Sequence, residues 1–331
     1  MATKQFSIKV PPSTTEQTIN VLVNIPDPII SVPQPIVTQS PPSYTQADAT
    51  ETHTITGTTA PPPVVVVPPP VVVAPPPIVT PTPIVRANLI FDFTCEQEDA
   101  LTKSGVKLLN YYNSFGKAAD YSITRSANIA RTGKYSTRYE LRNTDADVFG
   151  SKRTEAARAS NDEPTLAERW YGMSYYLPNE YVPDTAPELL TQWQSLKGVS
   201  PPLAIWTKAG KWAIDQKFNL ATDLNTLKTV NTVIGDCETA RWTDFVVHVK
   251  WSIGSDGLVE VWKDGVKVFT KSGPNTYFGI STGNYMKTGI YKWPWAHTES
   301  YSSNTTKRVI YIDDVRIGNE KATYNDVRPG N

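Results

Sequence analysis

The chain has 331 residues, with 32 Lys or Arg against 32 Asp or Glu, so its formal net charge is zero. That balance gives no electrostatic reason to expect a nucleic acid partner, and no stretch nears the ~18 to 20 consecutive apolar residues that span a bilayer. The opening residues, Met1-Ala2-Thr3-Lys4-Gln5-Phe6-Ser7, lack the basic end, apolar run and small-residue cleavage site of a signal peptide.

Of the 28 prolines, 19 lie between Pro11 and Pro83, while all nine tryptophans fall between Trp170 and Trp295. Residues 1–86 contain one Phe (Phe6), one Tyr (Tyr44) and one Gly (Gly57), too little to build a core, and read as a mostly disordered low-complexity spacer. From Pro61 to Pro83, proline triplets alternate with valine runs. Proline fixes φ and disfavours helix in the residue before it, so this part is expected to be extended and semi-rigid. Thr18 to Ile25 alternates apolar and polar residues, which makes it a candidate short strand or docking peptide for another protein.

Residues 87–331 read as one large all-β domain. Period-2 segments recur at Asn88 to Thr94, Tyr135 to Arg142, Arg169 to Leu177, Leu189 to Gln194, Trp242 to Ile253 and Val309 to Ile317. Between them, Cys95 to Leu109 is expected to hold a short helical turn or two. The clearest hairpin runs from Gly257 to Thr270, where Asp264-Gly265 supplies the φ > 0 positions of a two-residue turn. Strand after strand with turn chemistry between them predicts a two-sheet jelly-roll sandwich of the concanavalin A-like kind.

Several standard sites are missing from the sequence: G-x-S-x-G, H-E-x-x-H and the P-loop. The three histidines, His53, His248 and His297, make a histidine metal centre improbable. No E-x-D-x-x-E-type strand is present, which weakens a two-carboxylate glycosidase. What stands out is a set of strands with polar phases. Tyr285-Met-Lys287-Thr-Gly289-Ile-Tyr291 puts Tyr285, Lys287, Gly289 and Tyr291 on one face, and the glycine is expected to leave room for a ligand. Gln192-Trp193-Gln194 sets two amides opposite a tryptophan, and Arg153-Thr154-Glu155 aligns an arginine with a glutamate.

These three strands resemble the signatures Y-x-K-x-G-x-Y, Q-x-H and R-[ST]-E of jelly-roll polysaccharide lyases. Flanking text is similar too, notably Glu168-Arg-Trp-Tyr-Gly-Met-Ser-Tyr-Tyr-Leu-Pro and Ile310-Tyr-Ile-Asp-Asp-Val-Arg-Ile-Gly. The likeness is to the heparin-lyase-I-like and glucuronan-lyase-like group, with alginate lyases more distant. It implies β-elimination on an anionic, uronate-containing polysaccharide with no required cofactor. It also implies that Tyr291 takes the C5 proton while Arg153 and Gln192 neutralise the carboxylate. A phenol of ordinary pKa ~10 needs a cation nearby for base duty at neutral pH. On a straight strand Lys287 lies about 13 Å from Tyr291, four residues at ~3.3 Å each, so Lys287 is expected to bind a neighbouring sugar and another cation to serve Tyr291. Tyr285, Gln194, His248 and His297 complete the expected substrate contacts.

One departure matters. Gln194 stands where the family carries histidine, and an amide accepts no proton at neutral pH. Either Tyr291 performs both transfers, or His248 or His297 substitutes, or the protein is a non-catalytic carbohydrate-binding or adhesion module. Asp313-Asp314 is a candidate structural Ca²⁺ pair, and Cys95 and Cys237 form either one long-range bridge or two free thiols. A protein acting on such a polymer is expected outside the cell or on a surface or virion, by a route that the sequence does not reveal.

Overall fold

The computed structural model describes residues 86–98, 101, 106–108, 120–158, 163–195, 199–220, 226–280 and 282–330. The strand at Thr18 to Ile25 and the Pro/Val spacer lie outside them. Arg86, placed last in the spacer by composition, already belongs to the sandwich: its Nη1 donates to the carbonyl of Asp326 at 2.8 Å, and the Ala87 amide donates to Asp326 Oδ1 at 3.1 Å.

Two antiparallel sheets face each other. Sheet I runs in the order β13 (Val266–Ser272), β12 (Leu258–Lys263), β11 (Trp242–Lys250), β6 (Glu168–Tyr176), β15 (Lys307–Gly318), β4 (Ser136–Arg142) and β3 (Ile123–Ser126). β1 (Leu89–Phe93) pairs with the C-terminal part of β15. Sheet II runs β10 (Lys228–Asp236), β9 (Lys211–Phe218), β8 (Leu203–Lys208), β7 (Glu188–Gln194), β14 (Tyr285–Tyr291), β5 (Arg153–Arg158) and β2 (Val106–Leu108). Consecutive strands pair at the hairpins and distant ones meet in the middle of each sheet, as the jelly-roll reading requires. β2 replaces part of the helical turn expected before Leu109.

The alternation sets the core. Phe245, Val247 and Val249 of β11 and Tyr171, Met173 and Tyr175 of β6 are fully buried against Trp193, Leu203, Ile205, Trp212, Ile214 and Ile290 of sheet II. Each such side chain stabilises the fold by roughly 1.5–3 kcal/mol through removal from water. Asp264 and Gly265 have φ of 50° and 81°, the left-handed pair that the β12–β13 hairpin needs. A small cavity is lined by Phe91, Phe93, Tyr139, Ala156, Met286 and Val315 together with the polar Arg158 and Thr288.

The inner side of the three signature strands is tied to sheet I by hydroxyls. Thr154 donates to the Ser122 carbonyl at 3.2 Å, Thr288 meets the Tyr139 hydroxyl at 3.3 Å, and Thr191 meets the Tyr175 hydroxyl. Buried hydroxyls bonded across the sheets fix where β5, β14 and β7 sit, so their opposite faces are presented in one register.

Candidate active site

β14 lies between β7 and β5. Tyr285 pairs with Gln194 and Lys287 with Gln192 on one side; Gly289 pairs with Glu155 and Tyr291 with Arg153 on the other. Met286 and Ile290 point into the core, so Tyr285, Lys287 and Tyr291 share the outward face with Gln192, Gln194, Arg153 and Glu155. Sheet pairing thus brings together six of the eight expected residues.

Their contacts are specific. The Arg153 guanidinium carbon lies 3.9 Å from the Tyr291 ring centroid, a cation–π stack. Its Nη1 is 3.5 Å from Glu155 Oε2, and the Gln192 amide donates to Glu155 Oε1. Glu155, only 2% exposed, therefore orients both groups expected to hold a carboxylate. The Arg153 Nε is buried with no hydrogen-bond partner among the described residues. A buried donor left unmet costs roughly 1–3 kcal/mol unless something fills it. Lys287 Nζ lies 5.4 Å from the Tyr285 ring. Burial and the Glu155 charge push the Tyr285 phenol above its ordinary pKa, Arg153 opposing. Tyr285 is thus a neutral hydrogen-bonding group at physiological pH, unlike a base.

Gly289 has another explanation than ligand access. Its φ is 137°, and an added Cβ would sit 2.3 Å from the Thr154 carbonyl oxygen and 2.8 Å from Glu155 Cα. The register with β7 slips between Thr288 and Tyr291. Gly289 is a bulge glycine that admits the neighbouring backbone of β5. The expected straight strand is therefore bent between Lys287 and Tyr291, and Arg153 supplies the cation at the ring.

Two expected residues stand apart. His248 is on β11, in sheet I, because its alternation with buried Val247 and Val249 turns it to that sheet's outer face. There Nε2 meets Glu168 Oε1 at 2.8 Å, Nδ1 meets Glu260 Oε2 at 3.0 Å, and the ring stacks on Trp170 at 4.0 Å. His297 follows the 3-10 turn Trp293–Ala296 with its side chain 52% exposed, 3.6 Å from Glu299. Gln194 is tied down, its amide donating to the Val199 carbonyl at 3.0 Å.

Trp206 adjoins this outward row. It occupies the outward phase of β8, and its partner Leu189 pairs in turn with Tyr291. Trp206 is half-buried, on the phase opposite the buried Leu203 and Ile205.

The Asp313-Asp314 pair forms a bulge in β15, with Asp314 at φ 54°. Asp313 accepts amide hydrogens from Arg131, Thr132 and Asp314, while Asp314 accepts from Thr132 Oγ1, Arg316 Nη2 and the Gly330 amide. Burial and the adjacent Asp314 charge push the Asp313 carboxyl up to about 7. All four oxygens face hydrogen donors, an arrangement that does not fit Ca²⁺, which needs oxygens free to ligate. Cys95 and Cys237 are free thiols, the latter pushed up to about 12 by burial.

The outward face of β5, β14 and β7 thus carries tyrosine, lysine, arginine and amide groups on adjoining strands of one sheet. The family profile described as polysaccharide lyase matches residues 98–316, well over half of the chain. The chain belongs to the polysaccharide lyase family, and its function is that of a polysaccharide lyase. No curated protein matches it. Among solved structures, the endo-beta-1,4-glucuronan lyase from the fungus Trichoderma reesei is similar in fold at 17% identity and TM-score 0.53, over 62% of this chain and 89% of that one. The exolytic PL7 alginate lyase AlyA5 from Zobellia galactanivorans aligns at 12% identity and TM-score 0.47, over 66% and 96%. The alginate lyase PA1167 from Pseudomonas aeruginosa aligns at 15% and 0.42, over 62% and 88%.

Proposed function

We propose that the protein cleaves a uronate-containing polysaccharide by β-elimination on the outward face of β5, β14 and β7. The observation that carries this reading is Arg153: a guanidinium stacked on the Tyr291 ring, with a buried, unpartnered N–H and a shared carboxylate linking it to Gln192. A substrate carboxylate would meet the part of the guanidinium that remains exposed, the side chain being 11% exposed, and capture by arginine suits it. With that charge neutralised, the electron pair left when the C5–H bond breaks is stabilised next to the carboxyl carbon. It then forms the C4–C5 double bond as the C4–O bond breaks, and the departing oxygen takes a proton.

Tyr291 performs both proton transfers in this scheme. Gln194 cannot accept a proton at neutral pH, and His248 lies on the other sheet. Lys287, Tyr285 and Gln194 hold the neighbouring units. No cofactor is assigned a step, and the activity belongs outside the cell, where such polymers occur. Among the described residues no helix is long and apolar enough to cross a membrane.

A second reading, a carbohydrate-binding module that does not cut, is favoured by the glutamine at position 194. Ultraviolet absorbance on mixing with glucuronan, alginate or heparin separates the two, because only elimination creates a conjugated unsaturated uronate. Absorbance should rise with at least one polymer, and Tyr291→Phe should slow it by about 10²–10⁴-fold. An undiminished rate in that variant removes Tyr291 from the mechanism.

A further inference from the structure

We infer that Trp293, with Tyr301 beside it, is a stacking platform for a second sugar ring of the same polysaccharide chain, next to the unit held at Tyr291. The inference rests on the proposed site and extends it to residues outside the three signature strands.

The geometry is continuous. The Trp293 ring centroid lies 5.6 Å from that of Tyr291 at an interplanar angle of 51°, and Tyr301 stands edge-on to Trp293 at 6.4 Å, itself 38% exposed. A line of three aromatic rings therefore leads away from the candidate base. Pyranose rings present apolar C–H faces, and the negative π-face of an indole receives them while the sugar's hydroxyls and carboxylate stay in water or on cations.

The turn that carries Trp293 is anchored underneath. Lys292 is fully buried, with Nζ 3.0 Å from Asp184, 3.2 Å from Glu188 and 2.9 Å from the Ala186 carbonyl. Arg308 completes the set at 2.9 Å from Glu188. Pro294 and Trp295 are also buried, and the Trp295 indole donates to Ser303 Oγ at 2.9 Å, whose hydroxyl donates to Asp184. Three of the four residues from Lys292 to Trp295 serve this anchor, and Trp293 alone among them keeps an exposed face. An aromatic side chain half-exposed on so rigid a support loses little entropy when a ligand covers it.

Elimination kinetics on glucuronan and alginate oligosaccharides of graded length, from the disaccharide upward, test this. Trp293→Ala should raise KM about tenfold on long substrates, a loss that grows with chain length and exceeds any change in kcat. Trp293→Phe should recover most of it, and Tyr301→Ala should raise KM about twofold. An unchanged KM on long substrates, or a loss equal at every length, overturns the platform. If the wild-type protein forms no unsaturated product at all, the elimination reading falls by itself. The platform is then judged by retardation in gels containing the same polymers: weaker retardation of Trp293→Ala and Trp293→Phe in that order supports it, and retardation equal to wild type overturns it.

Discussion

Both sheets carry polar and aromatic side chains on the outward faces of their middle strands, yet the two faces are wired differently. On sheet I, both His248 ring nitrogens are occupied by Glu168 and Glu260, Lys267 closes the other side of Glu260, and Trp170 covers the imidazole. On sheet II, Arg153 and Gln192 share the single carboxylate of Glu155, and a buried Arg153 donor is left over. A closed set of partners fixes a structure. On sheet II the guanidinium stacked on Tyr291 has, among the described residues, a single carboxylate partner, which it shares with Gln192, and the proposed elimination assigns it a second one from the substrate.

Matched substitutions on the two faces should separate along that line. The largest effect belongs to Arg153→Ala, which should lower kcat/KM for elimination by about 10²–10³-fold, the cost of removing one preorganised donor at developing charge. Its stability should fall as well, because buried Glu155 keeps only the neutral Gln192 amide once the guanidinium is gone, so the rate is compared on folded protein well below the variant's thermal midpoint. Arg153→Lys should not rescue the rate, since an ammonium cannot both stack flat on Tyr291 and grip a carboxylate bidentately. Near-normal activity in Arg153→Ala would mean that sheet II is as self-contained as sheet I.

His248→Leu is the counterpart. It leaves Glu168 and Glu260 without their shared partner and should cost about 1–3 kcal/mol in denaturant unfolding, while elimination proceeds at the wild-type rate. A selective loss of activity with unchanged stability would return His248 to the chemistry and refute the contrast.

How far the sequence foretells this depends on what alternation can encode. The strand phases of β4, β6, β7, β11, β14 and β15 are written in their apolar residues, and the row Tyr285, Lys287, Tyr291 follows from them. His248 also sits on the polar phase of its strand, but phase says nothing about which sheet a strand joins, so the pattern alone groups it with residues that lie on the other one. The stretch from β8 to β10 carries weaker sequence signals. Its first hairpin turns on Ala209 and Gly210 at φ 49° and 74°, an alanine where turn chemistry would favour Asn or Asp, and β10 is an edge strand with little buried surface. Lys292 reads as a surface lysine because its partners Asp184, Glu188 and Arg308 are distant in the chain. Gly289 reads in the sequence as space for a ligand, whereas its conformation and the adjacent strand account for it.

The smallest expected effect sharpens the contrast through pH. Burial would raise the Glu260 carboxyl, but hydrogen bonds from Lys267 and His248 and their charges outweigh it, so its pKa lies below the ordinary carboxylate value. A depressed carboxylate stabilises the fold above its unfolded pKa, about 4.3, and loses that contribution as pH falls through the folded value. Glu260→Gln should therefore cost under about 1 kcal/mol at pH 7, as partly exposed ion pairs do, and nothing once both forms are protonated. The difference between wild type and variant, measured by denaturant midpoints, should shrink steadily below pH ~4.3. Elimination at neutral pH should be equal in the two proteins, because Glu260 faces away from the sheet that holds Tyr291. A stability difference that persists in acid would show that the glutamate contributes by packing rather than by charge, and the self-neutralised account of sheet I would then need a different basis.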